Sequence, residues 1–141
     1  MHTITIKTTQ RCEMIDITQQ IRDSLDRAGV PNGLGVIYLM HTTAGLTIND
    51  HLDPDVAHDI LLALERAVPR DQPGFLHKSR ESDAHVKASM VGSSVTVVVQ
   101  NRQLALGKWQ GVFLCEFDGP RTRSVKMTWM VLPASDSLEM I

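Results

Sequence analysis

The chain has 141 residues, 43% of them hydrophobic, and a formal net charge of −2 with acids and bases interspersed. That is enough for one sizeable core and short for two, so a single domain spanning 1–141 is expected. No basic stripe gives a footprint for nucleic acid or an anionic membrane, and with aromatics at 4% no run interleaves aromatic and basic side chains as single-strand-binding surfaces do. No apolar run approaches the length of a membrane span, and Met1 leads into a polar alternating segment rather than a signal peptide. Cys12 and Cys115 lie far apart with no CxxC spacing, which points to free thiols and a reducing, cytoplasmic setting.

In chain order, Thr3 to Thr8 alternates with period two and reads as a strand, and Ile15 to Ile17 as a second, shorter one. Thr18 is a candidate cap for a helix carrying Ile21, Leu25 and Ala28 on one face and stopped by Gly29. After a Pro31-Asn32-Gly33 turn, Gly35 to His41 is β-rich enough for a buried strand, with Ile37, Leu39 and His41 on one side. Asp53-Pro54 is a strong helix start, a capping carboxylate followed by proline at the first helical position. Its periodicity places Ala57, Ile60, Leu61, Leu64 and Val68 on an apolar stripe and leaves His58 on the opposite, solvated face.

Pro69 to Arg80 reads as a long irregular loop. Ser82 or Asp83 then caps a short helix closed by Gly92, with Ala84, Ala88 and Val91 inward, His85 beside that seam and Lys87 further round. The rest is β: Ser94 to Val99, a turn at Asn101-Arg102, Trp109 to Phe117 with apolar residues on both faces, and a cleanly alternating Thr122 to Leu132. The tail after Pro133 is polar and expected to be loose. Short turns between strands imply an α+β fold of packed, mainly antiparallel sheets, sandwich-like and flanked by two or three helices.

Chemistry concentrates between Leu39 and Asp59, which holds three histidines, Asn49 and a run of aspartates between an expected strand end and a helix start. Polar groups presented from a connection on a rigid scaffold are a usual place for function. His41, His77 and His85 come from three separate elements that can converge, and three neutral imidazoles suit zinc or another borderline divalent ion. Their spacing matches no diagnostic ligand motif, so three independent structural histidines remain the alternative. Asp50, Asp53, Asp55 and Asp59 offer oxygen ligands suited to magnesium, although Asp53 and Asp55 are also explained by capping and the helix dipole. Glu116, in an otherwise apolar strand, is either ion-paired with Arg121 or Arg123 or a site carboxylate. Cys115, on the other face, reads as a buried inert thiol. The helix from Asp83 offers amides to an anion, with Lys87 or Arg80 assisting.

The strings HTTAGLTIND and DPDV, then DAHVKASMVGSSVTV, then LALGKWQGVFLCEFDGPR strongly resemble the YjbQ-like family, also called the secondary thiamine-phosphate synthase family. The likeness runs over nearly the whole chain. It implies an α+β fold assembled as a homotrimer, with polar residues near the subunit boundary that include histidines able to hold a metal. It also implies a side activity that joins a pyrimidine diphosphate to a thiazole phosphate with loss of pyrophosphate. By motif, His41, Thr42 and Thr43 stand in HTTA and Asn49 in the segment after it. Asp53 and Asp55 stand in DPDV, His77 at the loop histidine, His85 in DAH, and Trp109, Gln110 and Glu116 in WQG and CEF. Asp50 replaces a common Glu and Ser82 a common Asn. A homotrimer would also cover the otherwise exposed Leu62.

The resulting expectation is a metal ion (zinc, magnesium or manganese) on His41, His77 and His85, with Asn49, Asp50, Asp55 and Glu116 as catalytic groups. Thr42, Thr43 and Lys87 would contact a small, phosphorylated substrate, Trp109 would stack on its pyrimidine, and Gln110 would hydrogen-bond the ring edge. A metal-dependent hydrolase of a phosphate or amide compound, or a trimeric small-ligand or metal binder without catalysis, are the alternatives.

Overall fold

In the computed structural model, which describes residues 1–133, eleven elements follow one another. They are β1 (His2–Lys7), β2 (Glu13–Asp16), α1 (Thr18–Ala28), β3 (Gly33–Leu39), β4 (Ala44–Asp50), α2 (Pro54–Ala67), α3 (Ser82–Val91), β5 (Ser94–Gln100), β6 (Gln103–Leu104), β7 (Gln110–Glu116) and β8 (Thr122–Val131). A five-stranded sheet has the order β1-β8-β3-β5-β6 and a three-stranded sheet the order β2-β7-β4. Every pairing is antiparallel. The α+β class with packed antiparallel sheets and flanking helices, expected from the short turns, is what is observed. The tail expected to be loose lies outside the described residues.

Period-two alternation builds the main core between the sheets. Ile37, Leu39, Val97, Val125 and Met127 of the larger sheet meet Leu46, Val112 and Leu114 of the smaller, and Ile17 and Ile21 close one side. Each such fully buried side chain contributes about 1.5–3 kcal/mol through the apolar surface it removes from water. The other face of β7 forms a second cluster, in which Phe113, Cys115 and Phe117 meet Ala84 and Ala88 of α3 and Leu61 and Leu64 of α2. Coverage on both sides explains why β7 is apolar on both faces.

Two local assignments differ from the sequence expectation. Ile17, not Thr18, stands at the N-cap of α1: Asp16 Oδ1 accepts from the Thr18 amide at 2.9 Å, and Thr18 Oγ1 accepts from the Val112 amide. More consequentially, the segment after Leu39 is not a single polar connection. The buried strand expected to reach His41 stops at Leu39, and Ala44–Asp50 is a strand of its own, paired with β7 from Ala44↔Glu116 to Asp50↔Gln110. Gly45 is required there by close approach. A Cβ would lie 2.8 Å from the Gly92 carbonyl oxygen and 2.9 Å from the Val91 side chain. Its absence lets the Leu46 amide donate to Gly92 O at 2.9 Å, docking the C-terminal end of α3 on β4.

Candidate functional site

Six steps along β4 span about 20 Å at ~3.3 Å per residue, so the residues gathered by the sequence fall into two groups. His41, Thr42 and Thr43 precede the strand, where the end of β7 and the start of β8 also lie. Asn49 and Asp50 end it, with Trp109 and Gln110 across the ladder and Asp55 in the first turn of α2. The first group borders a cavity of about 620 Å³ that also includes Glu81, His85, Arg121 and Arg123. The second group does not reach it. Its oxygens serve local turns: Asn49 Oδ1 accepts from the Asp50 amide, Asp50 Oδ1 from the Leu52 and Asp53 amides, and Gln110 Oε1 from the Gly107 amide. Trp109 is 55% exposed.

At the cavity's edge, His77 and His85 come together around Glu81, a residue absent from the expected set. His77 Nε2 lies 2.9 Å and His85 Nε2 3.8 Å from Glu81 Oε1, and the imidazole rings stand nearly perpendicular with centroids 5.4 Å apart. Each of the three offers a ligand atom within 4.8 Å of the others. Glu81 occupies the N-cap position of α3, His85 follows one turn later, and the loop returns His77 to the same side. Two imidazoles and a carboxylate, all accessible to solvent, are a donor set that fits zinc or manganese better than the all-oxygen preference of magnesium. His41 borders the same cavity, but its Nε2 accepts the Ser124 amide at 2.9 Å. It therefore stands outside the donor cluster, whose third donor is Glu81.

Two arginines set the electrostatics. Arg121 is exposed and bound to Asp118, with Nη2 3.8 Å from Glu81 Oε2. Arg123 is buried and bridges the two sheets, donating through Nε to Glu116 Oε1 at 2.9 Å and through Nη2 to Thr43 Oγ1 at 2.8 Å. Glu116 also accepts from Thr8 Oγ1 and from the Phe117 and Asp118 amides. Burial pushes its carboxyl upward, but Arg123 and these donors outweigh burial and hold it below the usual carboxylate range. A fully buried, ionised carboxylate with both oxygens occupied is a structural ion pair, so the catalytic role expected for Glu116 gives way to the pairing with Arg123.

Burial, then the charge of Arg123, pushes His41 below its ordinary value, leaving it neutral at pH 7. Because Nε2 accepts from Ser124, the neutral ring carries its proton on Nδ1. The His77 hydrogen bond holds Glu81 below the usual carboxylate range, the ionised form a metal ligand requires.

Lys87 is not on this cavity. Its ammonium is 1% exposed and donates to Glu65 Oε2 at 2.8 Å and Asp83 Oδ2 at 3.0 Å, while Asp83 is held bidentately by Arg11. Asp83 is thus a buried anchor rather than an exposed cap, and the substrate contact expected of Lys87 is replaced by this network. Arg80, the other expected anion contact, is engaged with Asp71. Thr42 is exposed at the cavity, whereas Thr43 is buried against Arg123. His58 lies on the solvated face as expected, 72% exposed, and burial pushes the Cys115 thiol up to about 12, an inert group.

Residues 2–131 match the family model described as UPF0047 protein YjbQ-like. The chain belongs to this family. It is 45% identical over 130 residues to the UPF0047 protein YugU of Bacillus subtilis, covering 92% of this chain and 98% of that one. It is 47% identical over 118 residues to the UPF0047 protein MJ1081 of Methanocaldococcus jannaschii, covering 84% and 85%. The crystal structure of a yjbq/upf0047 family protein from Clostridium acetobutylicum superposes with a TM-score of 0.90 at 41% identity, covering 92% of this chain and all (100%) of that one. Among the described residues, no helix is long and apolar enough to cross a membrane.

Proposed function

We propose that the end of the sandwich around Glu81 binds a divalent metal ion and a phosphorylated small molecule. We further propose that it carries low-level thiamine-phosphate synthase activity, joining a pyrimidine diphosphate to a thiazole phosphate with release of pyrophosphate. One observation carries this reading: His77, Glu81 and His85 cluster their donor atoms within 4.8 Å beside a cavity that also holds two arginines. A divalent ion bound there, zinc or manganese by the donor set or magnesium arriving with phosphate, would offset charge on the departing pyrophosphate.

The chain's own residues supply the rest. Arg121, exposed on the cavity, pairs with phosphate oxygens, while Arg123, buried and neutralised by Glu116, forms part of the cavity wall. Thr42 and the Nδ1–H of His41 add neutral donors. The hydrolase alternative needs a free general base, and neither carboxylate expected to serve is placed for it. Glu116 is saturated by Arg123, and Asp55 lies with the other group of residues, beyond the far end of β4.

The larger sheet's outer face supports self-association, in keeping with the homotrimer that the resemblance implies. Leu34 stands between Val98 and Met130 across neighbouring strands, with Tyr38 further along β3, and all four are exposed. Such a row is stabilised by burial against another copy. A pyrimidine role for Trp109 and Gln110 then requires their arrival from a neighbouring subunit. The free Cys12 and Cys115 support a cytoplasmic setting.

The test is pyrophosphate release from the pyrimidine diphosphate with manganese or zinc, with and without the thiazole phosphate. Release that needs both the thiazole phosphate and the metal, and falls at least about tenfold in Arg121→Ala, supports ring joining. Release without thiazole indicates a hydrolase, and ligand binding without release indicates a non-catalytic binder.

A further inference from the structure

The three clustered donors are held by unequal means. Glu81 and His85 stand one helical turn apart at the start of α3, so the helix fixes them relative to each other. His77 belongs to the loop 69–80, which has no core beneath it. Every residue of that loop except Gln72 is exposed, and Leu76 is 91% exposed. Apolar burial, which fixes the strands and helices, is missing there, and few buried contacts leave a segment free to open locally.

The loop's fastenings are polar and meet at Arg80. Its guanidinium donates to both carboxylate oxygens of Asp71, from Nε at 3.1 Å and from Nη2 at 2.6 Å. Its carbonyl oxygen accepts from Arg70 Nε at 3.2 Å. Residues 70 and 71 follow the end of α2, and residue 80 adjoins Glu81, so this clasp closes the loop at its neck with His77 inside. A two-point pair of arginine with a carboxylate sets direction as well as distance. Arg80 also has a φ of 62°, in the left-handed region where glycine is the default residue. The contacts of its side chain and carbonyl offset that backbone cost.

We propose that Asp71 and Arg80 are positioning residues, whose clasp presents His77 to Glu81 and His85 before a metal ion arrives. Neither side chain contacts the ion. This role rests on the metal reading of the cluster and adds to it the device that pre-organises a donor carried by an exposed loop. With the clasp closed, the loop is ordered in the free protein; with it broken, the ion must order the loop on binding, which lowers affinity.

The experiment is calorimetric titration of the whole protein with zinc and with manganese, each alone. Arg80→Gln and Asp71→Asn should each weaken binding about threefold to fivefold, the scale of an exposed ion pair. The double variant should bind no more weakly than either single one, because both changes break the same clasp. The sign of the Arg80→Gln effect separates the clasp from charge alone. Removing a cation near the site would by itself tighten a divalent ion, whereas losing the clasp weakens it. Lys78→Gln, at another exposed cation of the loop, should leave binding unchanged or tighter. Without metal, amide hydrogen exchange over 72–79 should quicken in both single variants while the urea midpoint barely moves. The proposal is overturned if both single variants bind as tightly as the native protein, if Arg80→Gln binds more tightly, or if the losses add in the double variant. Failure of the native protein to bind either metal overturns the metal reading itself, and this role with it.

Discussion

Glu116 and Glu81 each approach one of the cavity's arginines, and their surroundings could hardly differ more. Glu116 is fully buried, and Arg123, Thr8 and two backbone amides occupy its oxygens. Glu81 is partly exposed, shared by two imidazoles, and only 3.8 Å from an arginine already engaged elsewhere. The first carboxylate is spent on joining the two sheets. The second remains available to a ligand, because no donor saturates it and its neighbours are groups of the same kind, able to bind a cation. Satisfaction of hydrogen-bonding capacity, rather than residue type, separates the structural acid from the candidate functional one.

The largest expected effect comes from breaking the closed pair. Arg123→Met leaves Glu116 buried without its partner and should lower stability by about 3–5 kcal/mol, read as a shift in urea midpoint with an unchanged slope. Arg121→Ala, at a mostly exposed side chain, should change stability by no more than about 1 kcal/mol. Thr8→Val removes the hydroxyl that donates to Glu116 Oε1 and accepts from the Arg121 amide, with an expected loss of about 1–3 kcal/mol in the same assay.

Acid sharpens the comparison. The folded-state value of Glu116 lies below its unfolded value, so its stabilisation is complete above about pH 4.5 and is lost as pH falls through the lower folded value. Asp16 and Asp83, also lowered, add to the same acid loss. The Arg123→Met variant should therefore show a flatter stability profile below pH 4.5 than the native protein. A profile of equal steepness would mean that the pair contributes no pH-dependent stability. At the open cluster, Glu81→Gln and His85→Ala should each leave stability within about 0.5 kcal/mol of native, as expected for groups that hold little together.

The layers of the fold were legible because apolar alternation and helical periodicity report burial directly. Val125, Met127 and Trp129 in the last strand and Ala84, Ala88 and Val91 in the short helix go inward as their spacing predicts, whereas Val131, expected on the same side as the first three, is exposed at the strand's end. The strand β4 was hidden by Gly45, Asn49 and Asp50, residues that strands usually avoid and that this one admits because α3 docks on the glycine and the two others terminate it. Missing that strand compressed two separate ends of the molecule into one apparent polar cluster. His77 and His85 stand out in the sequence as candidates, whereas Glu81 does not. The signal lay in the spacing: it falls four residues from each histidine, and a chain turn followed by the first helical turn stacks all three. Lys87 and Asp83 could not be read as buried, because only the tertiary partners Arg11 and Glu65 make burying those charges tolerable.

The central claim, that Glu81 rather than His41 completes a metal-binding set with His77 and His85, is tested most directly by metal stoichiometry. The protein would be incubated with zinc or manganese, desalted and analysed for metal per chain, beside Glu81→Gln and His41→Ala. About one equivalent in the native protein and in His41→Ala, with none in Glu81→Gln, is the predicted result. No retained metal in the native protein, or loss in His41→Ala with retention in Glu81→Gln, would contradict it.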